Sequence, residues 1–327
     1  MRKLALAIAA FMAVSVVGLS GCKNEKTDWQ VYMPDGAPAL ALALPMSQDA
    51  EDDGVEYHVV SSMTITTFVT GNSPAADVCV LPVNLAAKLL GSGDAYQMLG
   101  VATHGNLYFL SEEDTTYSRE NVSLLIGKTV GVVQLNNVPG LTLKAALADL
   151  GVPYNDLSGG GATVDNAVNL KAVTPTALTG ADVYLLPSPA ADLRAANGTM
   201  NFAGSLQELY GGEEGYPQAA IVAKKSVLED GGEWVAQLLE RMDENAAWLQ
   251  TAEKTVIADA VSSHLTKGLT PTFTAVNLTD GAIAHSGVWL QRMDNNAVLQ
   301  VKDFLQKIIE IDGQMAAMPS DGFFKAL

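Results

Sequence analysis

The stretch WQVYMPDGAPALALALPM, residues 29–46, constrains the chain most, because it reads as one strand, one tight turn and the start of one helix. Residues 29–33 have the β-branched and aromatic content of a short strand, and Pro34-Asp35-Gly36 is turn chemistry. Pro38 fits a first helical turn, where its missing N–H costs nothing. The free N–H groups of such a helix start, with the positive end of its dipole, suit a carboxylate, sulfonate, phosphate or neutral acceptor. On this pattern alone the stretch is equally the first βα unit of any α/β domain.

The alternation continues. Tyr57-His-Val-Val-Ser61 reads as a strand, and residues 76–81 form another that ends in Pro82-Val83-Asn84 before a helical pattern at residues 85–90. Strand, turn and helix in repetition argue a parallel sheet with helices on its faces, with ligands beyond the carboxyl ends of the strands. At residues 98–111, MLGVATHGNLYFLS, an apolar run is interrupted by Thr103-His104-Gly105-Asn106, as expected of a segment crossing between two lobes. A second series then opens with GKTVGVV at residues 127–133 and with QLNNVPG, which again sets a turn and a proline before a helix. The segment Ala76-Asp77-Val-Cys-Val-Leu-Pro82 has a counterpart in Ala181-Asp182-Val-Tyr-Leu-Leu-Pro187, one unit for each half. Residues 216–223 read as the return crossing, and two apolar stripes follow, one through Trp234, Leu238, Met242, Ala246 and Leu249, the other through Val301, Leu305, Ile308 and Ile309.

With 327 residues, 48% apolar and 17% charged, the chain has enough material for two ordinary cores. Lys and Arg total 19 against 36 acids, a net charge of −17 without a basic stripe, which argues against nucleic acid as a partner. At the N-terminus, Arg2 and Lys3 precede an uncharged run, and Leu19-Ser20-Gly21-Cys22 follows it. This resembles a bacterial lipoprotein signal peptide with its lipobox, which implies removal of residues 1–21 and lipidation, with palmitate among the acyl chains, of Cys22. Residues 22–28 are then a polar tether. Cys79 is the one remaining thiol and sits in an apolar strand pattern, so it reads as core.

Taken in order, MPDGAPALALA, ADVCVLPVNLAAKLL, THGNLYFLS, GKTVGVV, NNVPGLTLKAALADLG, ADVYLLPSP, YPQAAIVAKK and MPSDGFF resemble solute-binding lipoproteins of ABC importers in the nitrate/sulfonate/taurine group, which also includes thiamine-precursor binders. The resemblance implies an α/β fold of two Rossmann-like lobes joined by two crossing segments, the type II periplasmic-binding-protein architecture. Residues 29–106 are expected in lobe I, 107–216 in lobe II, and 217–327 back in lobe I with C-terminal helices. It also implies hinge closure about residues 103–111 and 216–223 around one solute, a lipid-anchored position on the extracytoplasmic face of the cell membrane, and an ABC permease and ATPase as partners. The expected ligand contacts are Asp35, Gly36, Ala37, Asn84 and His104 in the first lobe and Asn136, Asn137 and Ser188 in the second. His104 stands where many relatives carry a tryptophan, and Ser188 where relatives often carry an acid. The second departure leans the expectation towards a neutral or anionic solute.

For catalysis the usual constellations are missing from the sequence: no GxSxG, no P-loop, no complete GxGxxG, and four histidines never at the spacing of HExxH. No cofactor, metal site or enzymatic activity is expected, and the acidic runs at residues 50–53 and 112–114 read as solvated loops. The alternatives are an enzyme on the same bilobal fold and a ligand-sensing subunit for a membrane partner.

Overall fold

The computed structural model describes residues 29–49, 54–174, 177–211 and 215–327. The expected signal peptide, Cys22, the expected tether and the acidic run at residues 50–53 lie outside the described residues.

Among the described residues there are two six-stranded sheets. The strands, in chain order, are β1 (Trp29–Pro34), β2 (Val55–Val60), β3 (Val78–Pro82), β4 (Tyr96–His104), β5 (Leu107–Ser111), β6 (Thr129–Val133), β7 (Tyr154–Asp156), β8 (Val168–Val173), β9 (Val183–Pro187), β10 (Asn201–Ser205), β11 (Pro217–Lys224) and β12 (Val288–Arg292). The first sheet runs β12-β4-β11-β3-β1-β2 and the second β10-β5-β9-β6-β8-β7. In the first, β1 lies parallel to β2 and β3, while β11 is antiparallel to β3 and β4. In the second, β6 lies parallel to β8 and β9, while β5 is antiparallel to β9. Each sheet with its helices is one lobe of a mixed α/β fold.

The helices are α1 (Ala37–Leu40), α2 (Ala43–Ser47), α3 (Val83–Leu90), α4 (Val138–Asp149), α5 (Ala190–Ala196), α6 (Leu206–Tyr210), α7 (Lys225–Asp230), α8 (Gly232–Thr251), α9 (Lys254–Ser262), α10 (Asp280–Ala284) and α11 (Asn295–Ile311). Where the sequence predicts the start of one helix after the Asp35 turn, the structure has two short ones. Pro45 accounts for the break: its nitrogen has no hydrogen to give the Ala41 carbonyl, and its ring crowds that oxygen.

The repeated Ala-Asp-apolar-Pro unit has a structural reason. β3 and β9 share one burial pattern, four buried residues and then a partly exposed proline, as strands covered on both faces require. The aspartate before each strand ties it to its neighbour: Asp77 Oδ2 accepts from the Gln30 N–H at 3.0 Å, and Asp182 Oδ2 accepts from the Thr129 N–H at 2.7 Å. In return, the Asp77 and Asp182 N–H groups donate to the Gln30 and Thr129 carbonyls. Both parallel pairs are thus pinned in register at their entrance, and both strands deliver a proline to the opposite edge.

Cys79 is fully buried in β3, where desolvation pushes its thiol up, so it behaves as a small core side chain. The α8 stripe buries Val235, Leu238, Leu239, Met242 and Leu249 as a helical period demands, but also Asn245, which the apolar pattern passes over.

Candidate functional site

The C-terminal ends of β1, β3, β6 and β9, namely Pro34, Pro82, Val133 and Pro187, open onto one cleft of about 400 Å³ between the lobes. That volume lies within the range of small-molecule sites, and the position is where open α/β sheets bind ligands. The floor is made by the two crossings. Between β4 and β5 the chain passes from His104 to Leu107, and the Gly105 N–H donates to the Tyr216 carbonyl just before β11. Gln218 Nε2 donates to Asn106 Oδ1 at 3.1 Å, so the crossings also hold each other through side chains that line the cleft.

Asp35, Gly36 and Ala37 form the first-lobe wall. Gly36, at φ 102°, turns the chain from β1 into α1 in a conformation that L side chains rarely adopt, and a Cβ there would point into open space. Asp35 Oδ2 accepts from both the backbone N–H and the hydroxyl of Thr272, at 2.8 and 2.7 Å, which fixes the carboxylate, while Oδ1 is buried without a partner. Opposite, Asn137 caps α4, its Oδ1 accepting from the Val138 N–H at 2.9 Å. Gln134, the turn residue after β6, lines the same wall at φ 55°, an uncommon backbone state for a residue with a side chain.

Ser188 also lines the cleft, but its hydroxyl is engaged elsewhere: Oγ lies 2.7 Å from Asp192 Oδ2 and 2.9 Å from the Ala282 carbonyl, and its single proton serves one of them at a time. Asp192 Oδ1 in turn accepts from His285 Nδ1 at 2.7 Å. Serine, aspartate and histidine are therefore adjacent, yet the carboxylate stands between hydroxyl and imidazole, so this is not the order in which a base activates a nucleophile. It is a bridge from α5 of the second lobe to α10 of the first.

Three expected contacts are not among the cleft-lining residues. Asn84 follows β3 as predicted, but is fully buried and donates from Nδ2 to the Met315 carbonyl at 2.9 Å, holding the C-terminal segment against α3. Asn136 is exposed in the turn before α4. His104 turns away from the cleft, stacked on Trp289 at 3.7 Å between ring centroids with Nε2 3.4 Å from Gln291 Oε1. It borders a second cavity of about 760 Å³, shared with Tyr108, Phe202, Glu208 and His285. That cavity lies between the β4–β12 edge of the first sheet and the β5–β10 edge of the second, and none of the four strand ends that converge on the cleft lines it.

Sequence reasoning missed Thr103, Asn106, Gln218, Thr272 and Asn277 as lining residues. The first three stand in segments already recognised as crossings and were legible there as polar interruptions of apolar strands. Thr272 and Asn277 come from a loop whose arrival at Asp35 is set by tertiary packing.

No family model matches the chain, and no curated protein matches it by sequence. Solved structures do. An ABC transporter protein from Parabacteroides distasonis aligns with a TM-score of 0.65 at 14% identity, over 91% of this chain and 99% of the other. The periplasmic aliphatic sulphonate-binding protein SsuA of Escherichia coli aligns at 0.63 and 12%, over 90% and 93%. The alkanesulfonate-binding SsuA of Xanthomonas axonopodis pv. citri, bound to MOPS, aligns at 0.60 and 11%, over 92% and 99%. With two six-stranded mixed sheets, two crossings and a cleft at the strand ends, this chain has the bilobal fold of the periplasmic binding proteins of ABC importers.

Proposed function

We propose that this chain is an extracytoplasmic solute-binding lipoprotein that captures a small molecule between its lobes and delivers it to the permease and ATPase of an ABC importer. The observation that carries the reading is the cleft itself, where four strand ends from two sheets meet over a floor made by both crossings. Asp35, Gly36, Ala37 and Asn137 are the walls the solute would touch, with Thr103, Asn106 and Gln218 beneath it. Binding favours the closed arrangement because contacts to both walls exist only there. The sulphonate-binding neighbours support transport as the purpose of binding, and the Leu-Ser-Gly-Cys22 sequence supports a lipid anchor, with Cys22 as the first mature residue.

The test is a thermal-shift and calorimetric screen of the purified protein against small anions, amines and heterocycles, with each hit recovered and analysed. A solute at 100 times its dissociation constant is expected to add about 2.7 kcal/mol of stability and to be recovered unaltered. A hit consumed over time would instead mark an enzyme. For the anchor, Cys22→Ser is expected to move the protein from the membrane to the soluble fraction of expressing bacteria, and an unchanged distribution would exclude lipidation at that residue.

A further inference from the structure

Resting on the solute-binding reading, we propose that the cleft selects a solute with a cationic or strongly N–H-donating head, an amine or amidine on a compact apolar body, and that Asp35 is its counter-charge. The lining is depleted of backbone donors, and its side-chain N–H groups are confined to the neutral amides of Asn106, Gln134, Asn137, Gln218 and Asn277. Six of its residues are prolines, Pro34, Pro38, Pro82, Pro139, Pro187 and Pro189, and each lacks the backbone N–H that any other residue would offer. Two of them, Pro38 and Pro139, stand in the first turns of α1 and α4, where N–H groups otherwise gather to hold an anion. At α4 the Val138 N–H is already taken by Asn137.

Two acceptors are unpaired: Asp35 Oδ1 and Gln218 Oε1 are buried without a hydrogen-bond partner. The Thr103 hydroxyl, which can accept as well as donate, is also buried and unpartnered. A buried acceptor left unpaired costs free energy, so this arrangement is stabilised by a ligand that brings hydrogen. Charge points the same way. Among the described residues no Lys, Arg or His lines the cleft, and Asp35 is the one charged side chain there. An oxyanion would give up its water beside a carboxylate with no cation to pair with, whereas an ammonium or amidinium would meet an opposite charge. The chain's net charge of −17 also favours the approach of cations. The prolines, Leu107, Val133 and Leu193 leave an apolar surface for the solute body.

Calorimetry with matched probes tests this: butylammonium against butanesulfonate, and benzamidinium against benzoate, on the purified protein, with small-angle scattering to follow closure. In at least one pair the cation is expected to bind one to one, and at least tenfold tighter than its anionic counterpart. Asp35→Asn, which keeps an acceptor for Thr272, is expected to lower the cation's affinity at least tenfold with an unchanged melting temperature. Should that variant not fold, Thr103→Val is expected to weaken the cation at least threefold. An anion that binds as tightly as its cationic partner, or a preference that survives Asp35→Asn in a folded protein, overturns the inference and leaves solute binding intact. A panel with neither saturable binding nor compaction counts against the inference and the solute-binding reading together.

Discussion

His104 shows how one side chain changes meaning with its surroundings. Read in sequence it is an expected ligand contact of the first lobe; in the fold it is stacked on Trp289 and almost fully buried, with Nδ1 unpartnered. Desolvation pushes its pKa down to about 4 from an ordinary 6.5, against a smaller opposing effect of Gln291. Between those two values the unfolded chain binds a proton that the folded one refuses, so stability falls as pH drops from 6.5 towards 4. The loss from this group between pH 7 and pH 5 is about 2 kcal/mol. His104→Phe keeps the ring stack and removes the titration, so its denaturation midpoint is expected to fall less over the same interval; parallel curves for the two proteins would exclude this role. Gly105 next to it is constrained by space: a Cβ would stand 2.6 Å from the Tyr216 ring and 2.7 Å from Gln207 Cγ, at the point where the crossings touch. Gly105→Ala is expected to destabilise the protein by roughly 1–3 kcal/mol through overpacking, read as a lower melting temperature.

At the scale of elements, the broken helix behind the Asp35 turn depends on a distant residue. The stop after α1 leaves the Leu40 carbonyl without a partner within the helix, and the start of α2 leaves the Leu44 N–H in the same position. Asn245, from the middle of α8, answers both: Oδ1 accepts from the Leu44 N–H at 2.8 Å, and Nδ2 donates to the Leu40 carbonyl at 3.0 Å. Asn245→Leu fits the apolar stripe of α8 yet leaves two buried backbone groups unpaired, so a loss of roughly 2–4 kcal/mol is expected in chemical denaturation. Because α1 carries Ala37 and Pro38 in the cleft wall, solute affinity is expected to fall as well. A variant of unchanged stability would mean that water or a backbone shift replaces both bonds.

For the whole molecule, the question is what holds the lobes together. Besides the crossings, the α5–α10 bridge joins Asp192 to His285 and Ser188 to the Ala282 carbonyl, from opposite sides of the cleft. The pair is only partly shielded, with 34% of the His285 and 11% of the Asp192 side chain exposed, so it contributes about 1 kcal/mol. Asp192→Asn is expected to shift the ligand-free population about fivefold towards an open form, seen as a larger radius of gyration in small-angle scattering. Identical scattering from variant and parent would remove the bridge from the closing mechanism.

The chain by itself determined whatever depends on neighbours in sequence. Strand and helix periodicity, the proline-glycine turn at residues 34–36 and the duplicated Ala-Asp-apolar-Pro unit are local, and they point to two α/β sheets with a site at the strand ends. Asp35, Gly36, Ala37, Asn137 and Ser188 were legible as cleft residues because a residue following a strand is carried to the sheet's edge by the strand itself. Which way a side chain then turns is not local. Asn84 and His104 stand at equally suitable positions, yet a C-terminal segment more than 200 residues away takes Asn84, and Trp289 takes His104. Only the folded structure brought Thr272 to Asp35, Asn245 to the gap between α1 and α2, and His285 to Asp192. Those contacts join residues 93 to 237 positions apart, and their partners are chosen by packing within the first lobe for the first two and between the lobes for the third.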